Sequence, residues 1–352
     1  MTEATDALGI ARFKGLWNGI AAGDFNGDGK MDLIATNWGR NWRTDQPSGA
    51  NAPLHLFWGS FAGDNVIHTL LASNDGNSGR MTLWRERKVV VRAIPEVGVR
   101  FVTHHAYGQA SAQEILRDRA SGARELQASA FDSTLFLNRG DHFEVRPLPI
   151  EAQFAPAFGV SVADFDGDGN EDAFLAQNSF GVDAETSRHD AGTGLVLLGN
   201  GGGDFRALRP QESGIAIYGE QRAAAVADFD HDGRTDFVVS QNNGATRLFR
   251  NAAGNPGLRI RLIGSKENPG GIGAWLRLSR SGRLGPAREV RAGSGYWSQD
   301  SCVQVMHLSG KPDEIRVRWP GERTGKETAY RVRDGAREVH LKANGEIKAA
   351  AP

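Results

Sequence analysis

Short stretches in which apolar and polar residues alternate recur along most of this chain, and such alternation is typical of half-buried β-strands. Residues 258–262 read Leu-Arg-Ile-Arg-Leu, which places the apolar side chains on one face of a strand and the arginines on the other. Similar stretches begin near residues 54, 133, 194, 246, 274, 303 and 314. The chain also contains 45 glycines, which favour tight turns between short strands. The pattern predicts an all-β protein, and we interpret Arg259 and Arg261 as part of a solvated face.

Residues 80–125 interrupt this strand pattern. Residues 110–119 contain good helix formers, and Ser111 followed by Glu114 is the sequence of a helix-capping box. Residues 81–94 are basic and apolar and are compatible with two strands. We therefore predict that a helical segment is inserted into an otherwise β-rich region.

Three nine-residue loops, each between two short apolar stretches, carry the candidate chemistry. The first loop (24–32) reads Asp-Phe-Asn-Gly-Asp-Gly-Lys-Met-Asp, the second loop (164–172) Asp-Phe-Asp-Gly-Asp-Gly-Asn-Glu-Asp, and the third loop (228–236) Asp-Phe-Asp-His-Asp-Gly-Arg-Thr-Asp. Oxygen-bearing side chains stand at positions 1, 3, 5 and 9 of each loop, and glycine stands at position 6. Calcium takes about six to eight oxygen ligands, and glycine permits the sharp turn that gathers them around one ion. The repeat predicts three Ca²⁺ sites.

Each predicted site has four side-chain ligands and the backbone carbonyl of position 7, whose side chain is free to vary. The ligands are Asp24, Asn26, Asp28, Lys30 and Asp32 in the first loop, Asp164, Asp166, Asp168, Asn170 and Asp172 in the second, and Asp228, Asp230, Asp232, Arg234 and Asp236 in the third. The first loop has three carboxylates where the others have four, so we expect its site to be the weakest. Position 12, where an EF-hand requires glutamate, is apolar in all three loops. The phenylalanine at position 2 is predicted to be a core anchor.

The loops resemble FG-GAP/VCBS-type repeats, which build calcium-binding β-propellers. The C-terminal segment resembles an ASPIC/UnbV domain, most of all in residues 288–300 (Arg-Glu-Val-Arg-Ala-Gly-Ser-Gly-Tyr-Trp-Ser-Gln-Asp) and 315–321 (Ile-Arg-Val-Arg-Trp-Pro-Gly). Such a domain follows FG-GAP repeats in cartilage-acidic-protein-like proteins and in the bacterial FG-GAP repeat family. The resemblance implies a calcium-binding β-propeller followed by a β-rich C-terminal domain.

We predict a propeller region at residues 12–255, with the helical insertion near 80–125, and an ASPIC/UnbV-like domain at residues 256–345. About four blade-like units fit before residue 255, and the second and third loops are spaced by about one blade. The longer gap between the first and second loops leaves room for a blade without a calcium loop, with outer strands at 133–138 and 142–146. Propellers have about four to eight blades. The sequence leaves open whether this propeller is complete or whether the chain is part of a larger one.

Composition limits the other function classes. The chain has 352 residues and a formal net charge of −1, so no global basic field attracts nucleic acid or an anionic membrane surface. No apolar run reaches the length of about 18 residues that predicts a membrane-spanning helix. Cys302 is the only cysteine, so an intramolecular disulfide is impossible. The N-terminus lacks the pattern of a signal peptide. Because such calcium sites fill where calcium is plentiful, we expect an extracellular or periplasmic protein and leave a cytoplasmic location open.

The leading functional hypothesis is a calcium-stabilised interaction module that binds a protein or glycan partner, with its oligomeric state undetermined. Trp38 and Trp42 are candidate ligand-binding aromatics, because exposed tryptophans stack on sugar rings and anchor partners. The alternative for both residues is packing within the blades.

Two further hypotheses remain open from the sequence. One is a lyase- or hydrolase-type propeller enzyme with a site in the central channel, for which His55, His68, His104 and Tyr107 are the candidates. No P-loop, dinucleotide fingerprint, nucleophile elbow or His-Glu-x-x-His motif is present, so no catalytic residue or organic cofactor is predicted. The other is a structural C-terminal fragment of a larger propeller protein.

Overall fold

The computed structural model describes residues 1–41, 53–62, 66–76, 78–117, 122–184, 186–322 and 325–349. Strands make up most of its regular structure, and its helices are few and short, so the predicted all-β class is confirmed. Among these residues, no helix has the length and apolar character needed to cross a membrane.

The strands in chain order are β1 (Gly19–Gly23), β2 (Asp32–Thr36), β3 (Leu54–Gly59), β4 (His68–Asn74), β5 (Met81–Leu83), β6 (Arg124–Ala128), β7 (Thr134–Asn138), β8 (Phe143–Pro147), β9 (Ala157–Ala163), β10 (Asp172–Gln177), β11 (Leu195–Gly199), β12 (Phe205–Ala207), β13 (Glu220–Ala227), β14 (Asp236–Asn242), β15 (Gly244–Phe249), β16 (Leu258–Ile263), β17 (Trp275–Arg280), β18 (Arg283–Leu284), β19 (Arg288–Glu289), β20 (Gln304–Met306), β21 (Glu314–Arg318), β22 (Thr328–Arg331), β23 (Glu338–Lys342) and β24 (Ile347–Ala349). The helices are α1 (Arg87–Ala93), α2 (Pro95–Arg100), α3 (His104–Gly108), α4 (Ala112–Leu116) and α5 (Pro210–Ser213), with a 3-10 turn at Ile150–Gln153.

The chain divides into two compact units. The smaller unit combines Met1–Leu16 with Trp42–Phe131, and the main unit combines Trp17–Asn41 with Asp132–Pro352. The main unit therefore contains all three aspartate-rich loops and the C-terminal segment, and the smaller unit interrupts it in sequence after β2.

Three antiparallel sheets of the main unit carry the loops, and we call them blades 1, 2 and 3. Blade 1 has the strand order β1-β2-β7-β8, blade 2 the order β9-β10-β11-β12, and blade 3 the order β13-β14-β15. The first strand of blade 2, β9, lies against both β1 and β13, and every one of its residues is buried. Because β9 is covered on both faces, its sequence does not alternate, and its one polar side chain, Ser161, donates to the Ala224 carbonyl of blade 3.

Apolar side chains fill the spaces between neighbouring blades. Ile34, Leu135 and Leu175 belong to a core shared by blades 1 and 2, and each is at most 1% exposed. Phe174 and Val239 belong to a second core shared by blades 2 and 3. The blades are therefore held to one another by burial of apolar surface.

The C-terminal segment of the main unit forms two further sheets. One has the order β20-β16-β23-β24, in which β16 and β23 are parallel, and the other has the order β18-β17-β21-β22, with β19 also on β17. Their inward faces share a core that includes Ile260, Leu276, Val317, Tyr330 and Leu341. The apolar residues that alternate along 258–262 therefore lie in this core, as the pattern predicted.

The smaller unit contains the four-stranded sheet β5-β4-β3-β6 and helices α1 to α4. The predicted capping box is present: the Glu114 backbone N–H donates to Ser111 Oγ (3.1 Å), and the Ser111 N–H donates to Glu114 Oε2 (2.7 Å). Only the first of the two strands considered for 81–94 forms, as β5. The rest is helix α1, because Val90 and Ile94 recur at helical spacing and are both buried.

The region before residue 255 contains four sheets of blade size, but their strands are not distributed as predicted. Residues 133–138 and 142–146 do not begin a separate blade. They form β7, which pairs with β2, and β8, which pairs with β7, and the two strands complete blade 1. The sheet without an aspartate loop is instead the one in the smaller unit. None of the sheets in the described part of the chain closes on itself, so a closed propeller stays a prediction.

The phenylalanines at loop position 2 differ in burial. Phe25 is 2% exposed and packs edge-to-face on Phe205 of blade 2, with 5.4 Å between ring centroids. Phe165 is 8% exposed and packs in the same way on Phe237 of blade 3, at 5.8 Å. Phe229 is 48% exposed, so the prediction that it is a core anchor was wrong. Phe25 and Phe165 each pack on the following blade, and no blade follows blade 3 among the described residues.

The two equivalent phenylalanines give a matched test of this packing. We expect Phe25→Ala to lower the free energy of unfolding by about 3–5 kcal/mol, because it removes a buried aromatic ring and leaves a cavity. Phe229→Ala, at the same loop position, should cost no more than about 1 kcal/mol. Urea unfolding monitored by tryptophan fluorescence measures both values. Equal losses would contradict the finding that Phe229, among the described residues, has no following blade to pack on.

Candidate metal centres

Each of the three loops is the tip of a β-hairpin formed by the first two strands of a blade. The register pairs the residue before position 1 with position 9 in every case: Gly23 with Asp32, Ala163 with Asp172, and Ala227 with Asp236. Positions 1 and 9 therefore meet at the mouth of the hairpin, and the loop folds back over them. All six of these aspartates are buried.

The same backbone hydrogen bonds fix the carboxylates in all three loops. The position 6 glycine donates its N–H to Oδ2 of position 1 at 2.9 Å in each loop, with a positive φ of 85°, 94° and 84°. The position 2 N–H donates to Oδ2 of position 9 at 3.0, 2.7 and 3.1 Å. The other oxygen of position 9 accepts an N–H at 2.7, 2.8 and 2.7 Å, from the last residue of the third strand in blades 1 and 2 and from Asn251, two residues beyond β15, in blade 3. Glycine is required at position 6 because an L side chain is strained at this φ.

In the first loop, one buried oxygen has no hydrogen-bond donor. Asp24 is 1% exposed, and its Oδ2 accepts from the N–H groups of Gly29 (2.9 Å) and Ala287 (2.8 Å). Within the part of the chain that the structure describes, Asp24 Oδ1 has no hydrogen-bond partner. Burial raises the pKa of Asp24 and raises the pKa of Asp32 to about 6. An unpartnered buried oxygen is costly, so the donor set fits a cation at Oδ1.

In the second loop, the carboxylates are crowded, and the nearby Arg288 acts on Asp164 through its charge without forming an ion pair with it. Oxygens of Asp164, Asp166 and Asp172 all lie within 4.8 Å of one another. Burial raises the pKa of Asp172 to about 8 and that of Asp164 to about 7. Across the described ranges, no lysine or arginine forms an ion pair with the loop's four predicted aspartates. Oxygen donors of this charge and spacing fit a hard divalent cation.

In the third loop, the oxygens of Asp228, Asp230 and Asp236 lie equally close, within 4.8 Å. Here, however, arginines contact the carboxylates. Arg250 Nε lies 2.6 Å from Asp230 Oδ2, and Arg259 Nη1 forms an ion pair with Asp228 Oδ2. The third loop therefore holds the same ligand set in a different electrostatic environment.

The side chain at position 7 plays a part that the sequence interpretation did not assign. Asn170 Nδ2 donates to Asp168 Oδ2 at 2.8 Å, and Arg234 Nη1 donates to Asp232 Oδ2 at 2.8 Å. Lys30 Nζ lies 4.0 Å from Asp28 Oδ2. In each loop the position 7 side chain thus contacts the position 5 carboxylate. For Asp232, burial raises the pKa, but the bonds and charges of Arg234 and Arg250 outweigh it and lower the pKa.

Residues of the C-terminal sheets complete the surroundings of the second loop. Arg288 donates Nε and Nη2 to the two oxygens of Glu171, at 2.9 and 2.8 Å, and the Glu171 side chain is 3% exposed. The sequence interpretation missed this pair. The available signal was position 8 of the loop, which is Met31 and Thr235 in the other loops and acidic only here.

The loop at 291–300 packs on the first strands of the blades. The Gly295 N–H donates to the Ile20 carbonyl (3.1 Å), and the Val226 N–H donates to Asp300 Oδ1 (2.9 Å). Tyr296 packs edge-to-face on Phe158, with 5.5 Å between ring centroids. The neighbouring Trp297 is 91% exposed and has a φ of 52°. This loop therefore joins the C-terminal sheets to the blades and leaves one large aromatic side chain in solvent.

The prediction that Arg259 and Arg261 of β16 form one solvated face was wrong. Arg261 is exposed, but Arg259 is 4% exposed and ion-paired with Asp228 and Glu338. The reason lies in the tertiary structure, because Arg259 contacts Asp228 of the third loop.

The structure describes only one of the two candidate ligand-binding tryptophans. Trp38 is partly buried and packs edge-to-face on His189, with 5.4 Å between ring centroids. Trp42 lies outside the described residues, so its role stays a prediction. The structure therefore places Trp38 in packing contact.

The four candidate enzyme residues do not converge. The β3–β4 register pairs His55 with Ala72 and His68 with Gly59, so the two histidines lie at opposite ends of the hairpin. His55 Nδ1 lies 2.5 Å from Glu125 Oε1. Tyr107 Oη donates to the Arg85 carbonyl (2.8 Å), and burial raises the pKa of Tyr107 to about 12. His104 is exposed at the start of α3.

Comparison with family models agrees with this arrangement. A model of the FG-GAP repeat matches residues 16–50, which include the first loop, and a model described as ASPIC and UnbV matches residues 264–346. The chain thus carries both an FG-GAP repeat and a C-terminal ASPIC/UnbV domain, and the resemblance stated from the sequence is confirmed. Comparison with curated protein sequences gives no match.

The Glu171–Arg288 pair gives a test of the contact between the C-terminal domain and blade 2. We expect Glu171→Gln to lower the free energy of unfolding by about 3–5 kcal/mol, because it leaves a buried guanidinium without its counter-ion. The matched control is Glu144→Gln, since Glu144 pairs with Arg139 and Arg146 but is 39% exposed. That change should cost no more than about 1 kcal/mol. Chemical denaturation of the three proteins at one pH decides, and equal losses would show that the buried pair contributes no more than a surface one.

Proposed function

We propose that this protein is a calcium-stabilised interaction module of β-propeller-like blades and an ASPIC/UnbV domain, and that it binds a protein or glycan partner. The second loop is the observation that carries the calcium part of the proposal. It buries Asp164 and Asp172 and gathers their oxygens within 4.8 Å of Asp166, and none of its four aspartates forms an ion pair with a lysine or arginine in the described structure. Buried carboxylates without a directly paired counter-charge are costly, and a divalent cation reduces that cost.

The residues that would hold Ca²⁺ are the predicted ligands of the first and second loops. In the first loop these are Asp24, whose Oδ1 is free to coordinate, together with Asn26, Asp28 and Asp32. In the second loop they are Asp164, Asp166, Asp168 and Asp172. The ion supplies positive charge at the hairpin tip and acts as a structural clip. The chain's own contribution is to fix the carboxylates through the repeated backbone hydrogen bonds.

The partner would bind through exposed aromatic side chains. Trp297 favours the C-terminal loop as one such surface, because a tryptophan that is 91% exposed contributes little to the core and is a typical anchor for a partner. Its φ of 52° is costly for a residue other than glycine, and local strain of this kind often marks functional positions. A surface around Trp42 remains a second proposal for the same function.

The enzyme hypothesis has less support. Its four candidate residues lie apart in the smaller unit, as described above. In the main unit, the cavity between the first strands of the blades and the C-terminal domain measures about 40 Å³ and is lined by Glu171, Arg288 and Asp300 among others. Such a volume accommodates a few water molecules but not a sugar ring. A structural role within a larger propeller assembly remains compatible with the exposed Phe229.

We also propose an extracellular or periplasmic location. Calcium sites of moderate affinity remain filled where free calcium is abundant, which supports this location.

The calcium proposal predicts a metal-dependent stability. A cation that binds only the folded state stabilises it by about 2.7 kcal/mol per site at a hundredfold excess over Kd. The melting temperature should therefore fall in excess chelator and recover with Ca²⁺, and recover less with Mg²⁺, whose smaller octahedral shell fits these loops poorly. Asp172→Asn should remove one ion from the stoichiometry measured by calorimetry. A melting curve that chelator leaves unchanged, together with no heat of calcium binding, would contradict the proposal.

The partner surface can be tested at Trp297. We expect Trp297→Ala to abolish binding to glycans or proteins retained by the parent on arrays, while the melting temperature stays almost unchanged, because the side chain is exposed. Leu248→Ala, which removes another exposed apolar side chain from blade 3, is the control and should retain binding. A strongly lowered melting temperature for Trp297→Ala would show that the residue packs, and unchanged binding would exclude it as the anchor.

A further inference from the structure

The second and third loops have the same four aspartates but different neighbours. None of the four aspartates of the second loop forms an ion pair with a lysine or arginine within the described ranges, since Arg288 pairs with Glu171 instead, whereas three arginines pair with aspartates of the third loop. Arg234 Nη1 lies 2.8 Å from Asp232 Oδ2, and Arg250 Nε lies 2.6 Å from Asp230 Oδ2. Both side chains are partly exposed, so the third arginine, Arg259, is the one that enters the interior of the site.

Arg259 is fixed between the third loop and the C-terminal domain. Its side chain is 5% exposed, and its Nη1 donates to Oδ2 of Asp228 and to the Asp228 carbonyl (3.2 Å). Its Nε donates to Glu338 Oε2 at 2.8 Å, on the strand that pairs with its own. The backbone beside it is held as well, because the Arg259 N–H donates to the Arg337 carbonyl at 3.0 Å. The guanidinium is therefore a built-in part of the loop's surroundings.

This contact occupies one oxygen of a buried ligand of the loop. Asp228 Oδ2 accepts from both Gly233 N–H (2.9 Å) and Arg259, which uses the two lone pairs of that oxygen. The guanidinium stays charged at every accessible pH, and it would repel a divalent ion held by the same carboxylate. The affinity of a calcium loop depends on the net charge of its ligands. Arg259 therefore acts against calcium at this loop.

The first loop meets the same domain in a different way. There the C-terminal domain contributes the backbone N–H of Ala287, a neutral donor, to Asp24 Oδ2. The other oxygen, Oδ1, stays without a hydrogen-bond partner in the described structure. The domain also places the Arg277 guanidinium beside Gly29 of the first loop, where its charge partly opposes the rise in the pKa of Asp24 that burial causes, but within the described residues Arg277 forms no ion pair with the loop. The domain thus leaves a ligand oxygen available at the first loop and places a cation in direct contact with a ligand of the third.

We propose that Arg259 takes the place of the cation in the third loop, so that the protein binds Ca²⁺ at the first and second loops and not at the third. This inference rests on the calcium-binding function proposed above. It changes the order expected from counting carboxylates, in which the first site was the weakest. In the third hairpin, Arg259 of the C-terminal domain then replaces Ca²⁺ as the group that holds the loop closed.

Calorimetric titration of the chelator-stripped full chain with CaCl₂ tests the stoichiometry. We expect two ions for the parent protein and three for Arg259→Gln, with the third site binding at least about tenfold more tightly than any third event in the parent. Arg261→Gln is the matched control, because Arg261 lies two residues along the same strand and is exposed, and it should stay at two ions. Three comparable sites in the parent, or two sites in Arg259→Gln, would overturn the proposal.

A second variant keeps the test decisive if Arg259→Gln does not fold. Asp228→Asn removes the carboxylate that Arg259 contacts and retains an oxygen acceptor. Since this carboxylate holds no calcium in the proposal, the variant should still bind two ions. Loss of one ion relative to the parent would show that the third loop is a calcium site and would refute the inference.

Thermal melts in excess chelator separate this inference from the calcium proposal itself. Arg259→Gln should lower the melting temperature, and adding Asp228→Asn to it should restore part of the loss, because the buried orphan carboxylate is removed. Strictly additive losses would refute the role of Arg259 as counter-ion. If none of the proteins takes up calcium, the proposed function fails and the two-ion count with it, while the chelator melts still decide the role of Arg259.

Discussion

Buried carboxylates at the tips of three hairpins are the constraint on which the blades depend. The register places positions 1 and 9 of each loop together, and the position 9 carboxylate ties the loop to the end of the third strand of its own blade. Hydrogen bonds from backbone N–H groups fix these carboxylates but do not remove their charge. A buried negative charge requires a positive one nearby. The group that supplies this positive charge determines the stability of each hairpin. Because the position 9 carboxylate also bonds to the third-strand segment of the blade, the same group affects the stability of the whole blade.

The C-terminal domain is the main contributor of that environment within this chain. It presents the Ala287 N–H to the first loop, the Arg288 guanidinium to Glu171 of the second, and the Arg259 guanidinium to Asp228 of the third. The first contact is a neutral donor, the second is a guanidinium paired with a residue beside the predicted ligands, and the third is a guanidinium paired with a predicted ligand, so the three loops, although similar in sequence, are not equivalent. Such second-layer groups orient metal ligands and change their affinity, which makes the domain part of the electrostatics of the blades.

Apolar packing explains which surfaces remain available to a partner. Blades 1 and 2 each place the phenylalanine of their loop on the next blade, whereas blade 3 leaves Phe229 half exposed. At the junction with the C-terminal domain, Tyr296 packs on Phe158 while its neighbour Trp297 stands in solvent. These two exposed rings are the side chains on which the proposed partner binding or assembly would depend.

The sequence by itself determined the features that depend on local spacing. The three loops, the capping box at Ser111 and Glu114, the alternating strands of the C-terminal domain and the family resemblance all follow from residues a few positions apart. Tertiary structure alone decided the pairing of β2 with β7 across the whole inserted unit, the burial of Arg259, the exposure of Phe229 and the pairing of Arg288 with Glu171. The physical reason is that alternation shows which face of a strand an arginine or phenylalanine occupies, but not what that face meets. The meeting partners lie far away in the chain, and they determine whether a charge is solvated, paired or available to hold a cation.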